Sequence, residues 1–197
     1  MGYLTYYSPK GFNLVRDVFI ETGTYQGTTL AAAAKAGYKE LHSVECLEEM
    51  YLKAVSLFAD DPKVHLHLGS SPEVLPWIMD GTKATVFWLD AHYCGGTPAD
   101  RPSSFDRGHG QCPLLDELKA IMKVAWRVPP YILVDDAKLF VRPDMALREP
   151  LVKEEWPTAE QIAAALPGFT LGEWGDIIYC LPGGECLGFP VPPGAPR

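Results

Sequence analysis

Three carboxylates at the ends of two apolar runs are the side chains best placed by type and spacing to do chemistry. Asp90 closes the run Thr85–Asp90 (TVFWLD), and Asp135 closes Tyr131–Asp135 (YILVD) with Asp136 directly behind it. If the two runs are neighbouring parallel strands, the acids meet at one rim and repel unless a cation or a proton intervenes. Such oxygen ligands suit Mg²⁺, Mn²⁺ or Ca²⁺. The plainer reading is that Asp135 and Asp136 cap the loop that follows. His92 lies two residues past Asp90. Its imidazole titrates near neutral pH and could take a proton from a bound molecule, or it could be a surface residue of a loop.

A second constellation follows the first apolar run. Glu21, Gly23, Thr24, Tyr25, Gly27 and Thr28 stand in the segment ETGTYQGT, which leads into an alanine-rich stretch. Gly23 allows a tight turn and close approach of a ligand to the backbone, and Gly27 lets a helix pack close to the strand. The spacing is not that of a dinucleotide GxGxxG, and no Walker lysine follows. Glu45 ends the next run, where an acid can accept hydrogen bonds from both hydroxyls of a ribose or can simply be solvated. Gly69-Ser70-Ser71 follow the third run, as pocket lining or as a helix cap.

The elements that must position these residues alternate. The runs Asp17–Glu21, Glu40–Glu45, Val64–Leu68, Thr85–Asp90 and Tyr131–Asp135 read as buried strands. Between them, helical patterns cover Thr28–Lys35, Leu47–Ala59, Pro72–Met79 and Pro113–Trp126. Gly37 is the stop signal of the first, and Ser71 with Pro72 the start signal of the third. In the last, Leu114, Leu115, Leu118, Ile121 and Ala125 form the apolar stripe. A further helix is expected near Ala159–Ala165, then a hairpin around Phe169–Leu171 and Asp176–Leu181. This pattern predicts an α/β fold: a Rossmann-like, doubly wound, mostly parallel sheet with helices on both faces. Residues 1–188 form one domain, with 91–112 as a long lid loop and 189–197 as a Pro-rich flexible tail.

Composition narrows the function classes. The chain has 197 residues, 47% hydrophobic and 21% charged, with a net charge of −8. These values fit a single soluble domain and speak against a general phosphate- or nucleic-acid-binding surface. No segment has the length of a membrane helix, and the N-terminus has no signal-peptide pattern. Five irregularly spaced cysteines then point to reduced thiols and a cytoplasmic protein. Cys46, Cys180 and Cys186 read as core or neutral residues. His92-x-Cys94 and His109-x-x-Cys112 offer zinc-type ligands, although glycine- and proline-rich loops also carry stray His and Cys.

The glycine turn (ExGxxxGxT), the acid closing the second strand and Asp90 closing the fourth together resemble class I S-adenosylmethionine (SAM)-dependent methyltransferases. The likeness covers residues 10–181, and it implies a seven-stranded sheet whose terminal hairpin supplies the antiparallel strand. FWLDAHYCGG, CPLLDELKAI, ILVDDAKLF and WPTAEQIAAALP are similar to a small group of bacterial methyltransferase-like proteins. The resemblance implies that Glu21, Gly23 and Gly27 hold the methionine end of SAM, with Thr24, Tyr25 and Thr28 as further cofactor-binding candidates. It gives Glu45 to the ribose, Ser70 and Ser71 to the adenine, and Asp90 to the cofactor's amino group. Many members carry an Asp in the segment that is Gly69-Ser70-Ser71 here.

An acid after the fourth strand and an acidic pair after the fifth also resemble metal-dependent O-methyltransferases. That likeness implies Asp90, Asp135 and Asp136 around Mg²⁺ or another divalent cation, which would lower the pKa of an acceptor hydroxyl. His92 and Asp90 are then the catalytic candidates. The expected activity is O-directed methyl transfer to a small molecule, by a monomer or a homodimer, without nucleic-acid or membrane partners. The alternatives are a protein that senses or cleaves SAM, and a metal-dependent hydrolase using the aspartates alone. Tyr6, Tyr7 and Phe12 are candidates for covering the acceptor pocket.

Overall fold

The computed structural model describes residues 14–93, 110–142 and 155–183. Strands β1 (Val18–Thr22), β2 (Glu40–Glu45), β3 (Val64–Leu68), β4 (Thr85–Leu89), β5 (Tyr131–Val134), β6 (Phe169–Trp174) and β7 (Ile177–Pro182) form one sheet. Its order is β3-β2-β1-β4-β5-β7-β6. The first five strands are parallel, and β7 runs antiparallel to both β5 and β6. Helices α1 (Thr28–Ala36), α2 (Glu48–Leu57), α3 (Ser71–Ile78), α4 (Leu114–Met122), α5 (Ala137–Val141) and α6 (Ala159–Ala165) fill the connections.

The apolar runs read as strands because the central ones are covered twice. Every residue of β1, β4 and β5 is buried. Alternation along the strand divides them between two cores. Val18, Ile20, Phe87, Leu89, Ile132 and Val134 pack with Leu118, Ile121 and Ile162 on one face. Phe19, Val86, Trp88 and Leu133 pack with Leu30, Ala33 and Tyr38 on the other. Only at the edges does the expectation of double cover fail. β3 and β6 are partly exposed, because an edge strand lacks a neighbour on one side.

Two helix starts differ from the sequence pattern. Ser70, not Ser71, occupies the N-cap of α3, and its hydroxyl makes no capping bond. Ser71 enters the helix because its hydroxyl donates to Glu117 of α4. Helix α4 ends at Met122, so Ala125 lies outside it and is exposed. Helix α5, which the sequence pattern did not separate from the loop, starts behind Asp136. Its first amides are held by the β6–β7 turn: Ala137 N–H donates to the Asp176 carbonyl (2.8 Å) and Lys138 N–H to Asp176 Oδ1 (2.9 Å). No helix among the described residues is long and apolar enough to cross a membrane.

Candidate active site

Strand order reverses between β1 and β4, where an open parallel sheet leaves a crevice at its carboxyl end. Here Gly23 takes a left-handed φ of 82°, and a Cβ at that position would lie 2.4 Å from the Asp90 carbonyl oxygen. Only glycine lets the first turn settle against the end of β4. Thr22 O accepts from Asp90 N–H (3.1 Å), and Val44 O accepts from Gly23 N–H (2.9 Å), tying the three strand ends together.

A cavity of about 550 Å³ opens beyond this turn. Of the residues singled out from sequence, Gly23, Thr24, Tyr25, Thr28, Asp90, Asp135 and Asp136 line it. Gln26, Thr29, Lys138, Gly175 and Asp176 complete the lining and were not singled out from sequence. Tyr25, Asp136 and Asp176 are the non-glycine residues with positive φ among the described residues, and all three face this cavity. Such backbone persists where surrounding contacts impose it, which is common at ligand sites.

Other candidates sit behind the lining. Glu21 is fully buried; its carboxylate accepts a hydrogen bond of 2.5 Å from Ser43, whose hydroxyl is also 2.6 Å from that of Thr24. Burial holds the Glu21 carboxyl well above its ordinary pKa. Glu45 is 6% exposed, and its two oxygens accept from the amides of Tyr25 (2.8 Å) and Leu47 (2.9 Å). It fastens the glycine turn onto β2, with one further lone pair on each oxygen for a ligand. Ser71 is spent on Glu117, while the buried Ser70 hydroxyl has no partner among the described residues. Gly27 allows α1 to approach α2, since a Cβ there would be 2.9 Å from the Phe58 ring.

The acid rim holds a histidine at its centre. His92 Nε2 lies 3.1 Å from Asp90 Oδ1 and 3.2 Å from Asp136 Oδ2. Its side chain is 5% exposed, and its ring packs on Trp156 with centroids 5.1 Å apart. One ligand atom from each of Asp90, His92 and Asp136 falls within a 4.8 Å group able to hold a metal ion. Asp135 stands beside this group, with Oδ1 turned to the Asp136 amide at 2.8 Å. Burial and the Asp90 charge push its carboxyl up to about 7. Asp136 goes the other way: its bond to His92, helped by Lys138, holds it at about 2 against the cost of burial. Lys138 Nζ bridges Asp136 Oδ1 and Asp176 Oδ2, both at 2.5 Å.

Sequence reasoning missed Glu117, Lys138 and Asp176. For Asp176 a signal existed: Gly175-Asp176 is a two-residue hairpin turn with φ of 57° and 68°. Antiparallel pairing of Val134 with Ile178 then brings that turn beside Asp135. Of the proposed zinc ligands, Cys94 and His109 lie outside the described residues. Cys112 is buried, with its thiol pushed up to about 12 by burial, which disfavours the thiolate a metal needs. Tyr6, Tyr7, Phe12, Cys186, the greater part of the lid loop and the tail also fall outside.

The fold is that of the SAM-dependent methyltransferases: a seven-stranded, mostly parallel sheet with the antiparallel strand β7 between β5 and β6. A SAM-dependent methyltransferase from Aquifex aeolicus is similar at TM-score 0.53 and 18% identity, over 87% of this chain and 85% of that one. The O-methyltransferase TomG of Streptomyces achromogenes, solved with SAM, is similar at 0.54 and 18%, over 86% and 74% of the two chains. Fibrillarin of Aeropyrum pernix, solved with natively bound SAM, matches at 0.58 and 14%, over 88% and 70%. No protein-family model and no curated protein sequence matches the chain.

Proposed function

We propose that this protein is a SAM-dependent methyltransferase that acts on an oxygen of a small molecule. One observation carries the reading: the glycine turn and the carboxylates of Asp90 and Asp136, which His92 joins from behind, line the same cavity of about 550 Å³. That volume lies in the range of small-ligand sites, roughly 300–1,000 Å³. When bound, SAM supplies an electrophilic methyl group. The backbone of Gly23 to Tyr25 and the N-terminus of α1 fit its methionine end. Glu45 holds the Tyr25 turn in place and keeps one lone pair on each oxygen for the ribose hydroxyls. Ser70, buried without a partner among the described residues, offers a hydroxyl on the adenine side.

His92 then has the task of managing the acceptor's proton. Asp90 and Asp136 both lie against its Nε2, where two carboxylates would share a proton arriving from the acceptor, and Trp156 packs on its ring. A hydroxyl entering between the two carboxylates can pass its proton to this group as the oxygen attacks. A divalent cation is the other way to neutralise the rim, held by Asp90, Asp136 and His92, and it would supply Lewis-acid activation of the acceptor oxygen. The nitrogen ligand suits Mn²⁺ or Zn²⁺ better than Mg²⁺. Lys138, already paired with Asp136, weakens the demand for a cation. We place the protein in the cytoplasm on the strength of its reduced-thiol composition.

The reading is tested by calorimetric titration with S-adenosylhomocysteine, with and without Mg²⁺ or Mn²⁺. Micromolar or tighter binding is expected, weakened about tenfold or more by Glu45→Ala because the Tyr25 turn loses its anchor. Absence of binding in every condition would overturn it. Loss of SAM without any acceptor present would instead favour cleavage of the cofactor. Asp136→Asn is expected to lower turnover by about 10² or more. Its S-adenosylhomocysteine affinity should stay within a few fold; a parallel collapse of both would place Asp136 in cofactor binding.

A further inference from the structure

Away from the cavity, β2 and β3 carry a cluster of imidazoles for which the proposed reaction has no use. Parallel pairing sets His42 opposite His65, and Val44 opposite His67. The two-residue period of a strand then puts Glu40, His42, His65 and His67 on one face of the sheet. The His42 ring stacks 5.0 Å from that of His65 and 5.2 Å from that of His67. Its Nε2 lies 2.9 Å from Glu40 Oε1, and its Nδ1 lies 3.0 Å from His67 Nε2.

These contacts assign the protons. Glu40 is held ionised below its ordinary pKa by bonds from Lys83 and His42, and a carboxylate only accepts. His42 therefore carries its hydrogen on Nε2, leaving the Nδ1 lone pair directed at His67, whose Nε2–H donates to it. A carboxylate behind one ring nitrogen with a lone pair on the other is how metal-ligating histidines are oriented.

We infer that this face binds a late first-row divalent metal ion, represented by Zn²⁺, through His42 Nδ1 and His67 Nε2 with His65 as third ligand. Zinc–nitrogen bonds of about 2.05 Å at tetrahedral angles require nitrogens about 3.3 Å apart. To admit the ion, the 3.0 Å pair has to open slightly and both rings have to turn so that their lone pairs converge on one point. His67 moves its hydrogen from Nε2 to Nδ1, so no net proton is released. His65, exposed on the edge strand with its ring 5.0 Å from that of His42, has to turn toward the pair to serve as third ligand, since its nitrogens lie outside a metal-sized group as the side chains stand. Water completes the coordination. Imidazole ligands select zinc, copper and nickel over magnesium, which separates this site chemically from a carboxylate site at the cavity.

The test uses the full chain carrying Asp90→Asn, which removes a ligand of the other candidate group. Zn²⁺ uptake is followed by equilibrium dialysis and by the imidazole ¹⁵N signals. One equivalent of Zn²⁺ is expected, with shifts at His42 and His67 and with Mg²⁺ inert. His67→Gln should weaken uptake at least tenfold, and Glu40→Gln should weaken it about tenfold by releasing the His42 tautomer. Unshifted His42 and His67 signals at equimolar Zn²⁺ would overturn the inference. So would unchanged affinity in a His67→Gln protein whose amide spectrum shows the native fold.

Discussion

Gly23→Ala is expected to destabilise the fold by about 3 kcal/mol and to abolish binding of S-adenosylhomocysteine, from the sum of backbone strain and overpacking. The strain follows from φ +82°, a region that L side chains rarely adopt. The added Cβ would also meet the Asp90 carbonyl oxygen at 2.4 Å, the Asp90 carbonyl carbon at 2.8 Å and the Ala91 Cα at 3.1 Å. All three are backbone atoms, so no side chain can swing aside. Relief requires the end of β1 to move away from β4, against the bond of 3.1 Å from Asp90 N–H to Thr22 O. Gly37→Ala supplies the control. It too has positive φ, +105°, but nothing lies within 4 Å of its added Cβ. It should lose about 1 kcal/mol, the cost of backbone strain alone. Urea denaturation of the two variants gives the comparison. Equal losses would mean that the β1–β4 crevice is soft and that Gly23 is there for the turn alone.

What the sequence shows and hides at this site follows from which contacts are local. The ends of β1, β2, β4 and β5 were legible because strands covered on both faces are short, continuous apolar runs, and each run stops at a polar residue. Their convergence at one rim follows from parallel pairing, so the cavity's first turn and its aspartates could be named residue by residue. Rotation of side chains at the rim was not legible. Asp135 and Asp136 are sequence neighbours, yet one is turned to a backbone amide while the other faces His92. The left-handed φ of 53° at Asp136 re-aims the chain between them. The cross-strand trio His42, His65 and His67 alternates with apolar residues in ELHSVE and VHLHL. That pattern gives a shared face, but not the tautomer that Glu40 sets.

Glu117 is the instructive omission, and it yields the second large effect. The buried residues of α4 include Leu114, Glu117, Leu118 and Ile121, so an acid occupies a core position of the helical stripe. Leu115, which the apolar pattern chose instead, is only partly buried. Glu117 is 1% exposed and accepts hydrogen bonds from the Ser71 and Thr22 hydroxyls. Burial outweighs these bonds and raises its carboxyl from the ordinary 4.5 to about 7. Between those two values the folded chain holds a proton that the unfolded chain has lost. Its contribution to stability is therefore complete below about 4.5 and falls as pH rises through about 7, by roughly 3 kcal/mol in all. In Glu117→Gln, the amide oxygen can still accept from both hydroxyls and nothing titrates. The variant should match the wild type near pH 4.5 and exceed it by up to about 3 kcal/mol at pH 8, as read from urea unfolding at both values. Asp135, also raised to about 7, keeps its share of the slope in both proteins. Asp136, held at about 2, acts only in strong acid, where its protonation removes stability. Stability curves that run parallel across this window would mean that Glu117 is already ionised when folded. The Ser71 and Thr22 hydroxyls would then be holding a buried charge, and α4 would be a second negative wall behind Asp90 and Asp135.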